Sequence, residues 1–111
     1  MVVREFVHPR LDAEVTAVGG HYVFAREQRI DVEGRRILYF VGYGVFDTTC
    51  CGAGGCGYAL VAGEVVDDVE RYSDDGRRVS RVVPIAEGER RETLRRWITE
   101  TEYVSQVVFE T

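Results

Sequence analysis

The residues of this sequence best equipped for chemistry crowd into one stretch, Asp47-Thr48-Thr49-Cys50-Cys51-Gly52-Ala53-Gly54-Gly55-Cys56-Gly57. All three cysteines of the chain fall there within seven residues, together with four of its twelve glycines. Cysteines used only as small buried hydrophobes have no reason to cluster so tightly. Glycine-rich backbone beside thiolates has a physical use, because consecutive N–H groups can point inward and stabilise negative sulfur. The same convergence lowers a thiol pKa and makes a reactive nucleophile.

Three uses of the stretch compete. One is soft-metal ligation by Cys50, Cys51 and Cys56, as an iron–sulfur cluster or zinc, with Gly52, Gly54 and Gly55 cradling the group. The fourth ligand then comes from His21, His8 or Asp47, or from a second chain. Adjacent cysteines seldom both fit one tetrahedral metal, and the C-x2-C pair of zinc ribbons is absent. Another use is a redox thiol or sulfur carrier, in which one cysteine attacks and another resolves the mixed disulfide. The last is a tight structural loop with inert cysteines. A Cys51–Cys56 disulfide is disfavoured in a reducing compartment.

Elsewhere the chemical signals thin out. His8 and His21 are the only histidines, and His21 opens a strand after Gly19-Gly20. Ser73, Ser80 and Ser105 sit in no nucleophile-elbow context, and no Ser/His/Asp layout is readable. Asp74-Asp75 belongs to an Asp-Gly turn, and Asp67-Asp68 carries no recognisable metal or sugar motif. Gly42-x-Gly44 is no nucleotide fingerprint, since no helix follows it.

Charge narrows the classes. The net charge of −5 disfavours a surface built to neutralise phosphates, so no nucleic-acid partner is expected. All 14 basic residues are Arg; without Lys, a P-loop lysine or a Schiff-base lysine is impossible. Without Asn, N-glycosylation is excluded too. The longest apolar run, Ile37 to Phe46, is far below the ~18 residues of a membrane span, so no membrane partner is expected. The start, Met1-Val2-Val3-Arg4-Glu5, lacks the layout of a signal peptide, and the expected compartment is the cytoplasm.

The elements that must hold these residues read as one α+β domain over residues 1–111: a mostly antiparallel sheet of about five or six strands with one late helix. Residues Ala13 to Val18 can be strand or helix. His21 to Ile30 is a strand, closed by the turn Val32-Glu33-Gly34-Arg35. Arg36 to Thr48 is apolar on both faces and is expected at the centre, with Tyr39 and Val41 buried as well as Leu38 and Phe40. Gly42 and Gly44, two apart, share a face and invite a close approach, a bulge or a bend. Gly57 to Tyr72 is its partner, Ser73-Asp74-Asp75-Gly76 a primed hairpin turn, and Val79 to Ile85 and Val104 to Phe109 are further strands. The helix runs from about Glu87 to Thr101, with Leu94, Trp97, Ile98 and Thr101 as its apolar stripe and Trp97 as a core anchor. Arg90, Arg91, Arg95 and Arg96 read as its solvated face. One helix cannot cover both faces of such a sheet, which implies either strong curling or a second chain; a homodimer is the expectation.

The run Cys50-Cys51-Gly52-Ala53-Gly54-Gly55 resembles the cysteine-cysteine-glycine motif of heterodisulfide-reductase-type and glycolate-oxidase-type iron–sulfur subunits. That resemblance implies cluster ligation at the cysteines. The wider layout is similar to small uncharacterised prokaryotic proteins carrying a CCGxGGC signature, and it implies no activity. Two function classes follow. One is a metal- or sulfur-handling protein, with a redox protein as partner; the other is a non-enzymatic interaction module with a structural loop.

Overall fold

The computed structural model describes residues 2–17, 20–44 and 57–110. Eight strands form one sheet among these residues: β1 Arg4–Val7, β2 Glu14–Ala17, β3 Gly20–Val32, β4 Arg35–Gly44, β5 Gly57–Val65, β6 Arg71–Tyr72, β7 Arg78–Val83 and β8 Gln106–Phe109. One helix, α1 Glu89–Glu102, precedes β8. The architecture is α+β and mostly antiparallel; β8 alone runs parallel to its neighbour, β5. The strand number exceeds five or six because the N-terminal segment supplies β1 and β2 and the hairpin before β7 supplies β6.

The sheet orders β1-β7-β5-β4-β3-β2, and β4 lies at its centre as the apolar run requires. Leu38 and Phe40 are buried on one face of β4, and Ile37, Tyr39 and Val41 on the other. The helix side is closed by Leu94 and Ile98 of α1 with Val104, Val107 and Phe109. The opposite side is closed by the chain itself: Phe6 of β1 and Val82 of β7 pack with Phe24, Leu38, Phe40 and Tyr58. That fold-over packs β1 and β7 residues against the second face of the sheet. β5 makes it possible by changing partners, pairing β8 through Tyr58–Val61 and β7 through Glu64 and Val65. At the change stands Gly63, with φ of 142° and a site where a Cβ would lie 2.5 Å from the Val83 carbonyl oxygen. Only glycine fits there.

Several boundaries move. The strand expected over Gly57 to Tyr72 stops at Val65. Asp67 then holds Arg71 through a two-toothed ion pair at 2.8 and 3.0 Å, and Arg81 at 3.2 Å. The Arg71 guanidinium holds the Asp67 carboxyl down at about 2. The turn Glu33-Gly34 has positive φ at both residues, 54° and 77°, as a primed turn requires. In Ser73–Gly76 only Gly76 has positive φ, and Gly76 N–H donates to the Ser73 carbonyl, so that turn is not of the primed type.

The helix is shifted to Glu89–Glu102, and its stripe differs from the expected one. Leu94 and Ile98 are buried, but Trp97 is 40% exposed and is no core anchor. The buried positions are Leu94, Ile98 and Glu102, four apart, so a carboxylate occupies the last turn of the apolar face. Nor are all the helix arginines solvated: Arg96 is exposed, but Arg90, Arg91 and Arg95 are partly buried. Arg91 and Arg95 stand over the Phe109 ring at 5.0 and 5.1 Å and donate to the Ile85 and Val107 carbonyls. Among the described residues, no helix is long and apolar enough to cross a membrane.

Candidate functional site

Cys50, Cys51, Cys56, Gly52, Gly54, Gly55 and Asp47 lie outside the described residues. The strands on either side of them are described. Tyr43 of β4 pairs with Gly57 of β5, so the two ends of the cysteine segment leave the sheet side by side. Gly57 is held from the other direction, its carbonyl accepting from both the N–H and the hydroxyl of Ser105, at 2.9 and 3.0 Å. A side chain at Gly57 would press on Val104 at 3.1 Å and on the Gly42 carbonyl at 3.0 Å. The base of the connection is therefore tightly built.

His21 belongs to the same end of the sheet. It neighbours Tyr22, which pairs with Gly44, the last described residue of β4. Its Nδ1 lies 2.7 Å from Glu14 Oε1 of β2, and its side chain is about half exposed. A carboxylate on one imidazole nitrogen fixes the orientation of the ring, the usual support of a metal-bound histidine. His8 is elsewhere. It meets β3 at Glu27, whose partner on β4 is Phe40, four positions or ~13 Å along the strand from Gly44. Both its ring nitrogens are engaged, by Glu27 and Ser80.

On the helix side of the sheet lies a buried charge network that hydrophobic patterning does not reveal. Glu102 accepts from the Tyr39 hydroxyl and from both terminal nitrogens of Arg26, one of them at 3.3 Å. The bond to Glu102 raises the pKa of Arg26, and burial pushes the Tyr39 phenol well above its usual value. Arg26 reaches Glu102 because β3 bulges between Phe24 and Arg26. The extra residue, Ala25, puts Phe24 on one face, opposite Gly42, and Arg26 on the other, opposite Val41.

The same bulge sends Glu27 to the face away from the helix, where it meets His8, which in turn meets Ser80. His8 Nδ1 lies 2.7 Å from Glu27 Oε1, and His8 Nε2 lies 2.6 Å from Ser80 Oγ. The carboxylate can only accept, so Nδ1 carries the proton and the Ser80 hydroxyl donates to Nε2. Arg78 and Arg29 stand 3.5 and 3.6 Å from the Glu27 carboxylate. Burial outweighs the carboxylate's pull and lowers the His8 pKa, which leaves the ring neutral at pH 7. These three residues are 19 and 72 positions apart in sequence, which is why no spacing motif announces them.

Among the described residues there is no cluster of three or more His, Cys, Asp and Glu side chains arranged to hold a metal ion. Comparison with protein-family models, with curated proteins and with solved structures gives no match.

Proposed function

We propose that this chain handles a soft metal or sulfur through thiolates on the connection between β4 and β5, with Cys50, Cys51 and Cys56 as ligands and His21 as the fourth. The observation that carries the reading is the Tyr43–Gly57 pairing: two strands anchored in the core deliver a segment with all three cysteines to the sheet end that also holds His21. Thiolate and imidazole together suit iron–sulfur or zinc chemistry. Gly52, Gly54 and Gly55 supply backbone N–H groups to the sulfurs. A cytoplasmic setting, which keeps thiols reduced, fits such a role, with a redox protein as the partner that exchanges electrons or sulfur. If the same thiolates hold no metal, they serve as an attacking and a resolving cysteine.

Metal and sulfide analysis of anaerobically purified protein tests the reading. Iron with sulfide, or stoichiometric zinc, lost in Cys51→Ala and weakened in His21→Ala, supports it. A metal-free, colourless protein whose thiols react no faster than free cysteine leaves the loop structural and the chain an interaction module.

A further inference from the structure

We propose that Ser80, His8 and Glu27 form a nucleophilic site that takes small acyl or phosphoryl electrophiles. None of the three belongs to the cysteine segment. The three side chains come from different elements: Glu27 from β3, Ser80 from β7 and His8 from just beyond β1. Their order is that of a base held between a hydroxyl and an orienting carboxylate, with both contacts at hydrogen-bonding distance, 2.6 and 2.7 Å.

The ring is fixed from the sides as well. Phe40 meets the imidazole edge-on with centroids 5.2 Å apart, and the Arg77 guanidinium holds the His8 carbonyl at 2.7 and 3.0 Å. A neutral His8 is the form that can accept a proton, and its lowered pKa keeps it so at pH 7. A hollow of about 260 Å³ opens onto the ring, lined by His8, Pro9, Leu11, Glu27, Phe40 and Arg78 among others. Ser80 is 7% exposed and is not itself among the residues lining the hollow, so only a small electrophile that passes the ring can reach its hydroxyl.

With an ester, Ser80 Oγ forms a bond to the acyl carbon as the bond to the alkoxide leaving group breaks. The hydroxyl proton passes to His8 Nε2 and then to the departing alkoxide. Water next attacks the acyl-serine, gives its proton to His8, and releases the acid as that proton returns to Ser80. With diisopropyl fluorophosphate the same oxygen forms a bond to phosphorus as the P–F bond breaks, and His8 Nε2 takes the hydroxyl proton. Fluoride leaves, and the diisopropylphosphoryl group stays on Ser80.

The test incubates the whole chain with diisopropyl fluorophosphate and locates the adduct by fragment-ion mass spectrometry. The expected result is a single adduct on Ser80, with Ser73 and Ser105 unlabelled. The labelling rate should fall at least about 100-fold in His8→Gln and roughly tenfold in Glu27→Gln. In the wild-type chain it should rise with pH to a plateau whose midpoint lies below 6.5, as a lowered imidazole pKa requires. The groups facing that imidazole are Glu27 and Arg29 from β3 and Arg78 and Ser80 from β7. No adduct on Ser80, equal labelling of the exposed serines, or a rate unchanged in His8→Gln overturns the proposal and makes the trio a structural hydrogen-bond chain. Because the adduct is read on the wild-type chain, a variant that fails to fold does not blunt the test.

Discussion

Glu102 is the residue whose burial most needs explaining, because a carboxylate at 6% exposure is costly unless it is paired. Tyr39 and Arg26 pair it, and Arg26, 40% exposed, keeps its far side wet. Glu102→Ala is expected to lower stability by about 1–3 kcal/mol in urea unfolding, since the Tyr39 hydroxyl is left buried without its acceptor. His8 makes a prediction of the opposite chemical kind. Its folded pKa lies below the ordinary 6.5, so below that value the unfolded chain binds more protons than the folded one. The His8 contribution is present in full above pH 6.5 and is lost as pH falls toward the folded value. Urea midpoints measured from pH 7.5 to pH 5 should fall, and fall less steeply in His8→Gln. Neither network was legible in the sequence, because both depend on the bulge at Ala25. In a regular strand Glu27 would face the helix and Arg26 the opposite layer, and no turn residue marks the slip.

At the scale of elements, the pattern of apolar residues was a good guide where both faces of an element are covered. β4 was readable as central from Ile37 to Val41 alone, and its amides from Leu38 to Val41 should be among the slowest to exchange in the chain. The helix was readable in place but not in orientation. Leu94, Trp97 and Ile98 fit one stripe equally well on paper, and only the position of β8 decides that the face turns toward Leu94, Ile98 and Glu102. Leu94→Ala and Ile98→Ala should each cost about 2–5 kcal/mol, whereas Trp97→Ala should cost about 1 kcal/mol or less. Equal losses at Leu94 and Trp97 would mean that the helix is rotated from its position here. The short strands β1, β2 and β6 gave too little periodicity to be read, being two to four residues each.

The molecule as a whole is a sheet closed on one side by a helix and on the other by its own β1–β7 edge. That arrangement exists because β5 trades β8 for β7 at Gly63, a long-range choice that local sequence does not encode. Its consequence for function is a firmly held base for the cysteine segment: Tyr43 and Gly57 are paired, Gly57 is tied to Ser105, and His21 stands at the same sheet end on β3, the strand next to β4. The density of cysteine and glycine was the part of the site legible from the sequence, and the hairpin base that presents it came from the fold. The proposed function rests on at least one thiol being thiolate-prone, a state that backbone N–H groups favour. The most direct test is the rate of alkylation against pH for the metal-free chain and for variants that each keep a single cysteine. The account predicts a midpoint below the free-thiol value of about 8.5, with Cys51 the most acidic; midpoints at or above about 8.5 for all three cysteines would contradict it.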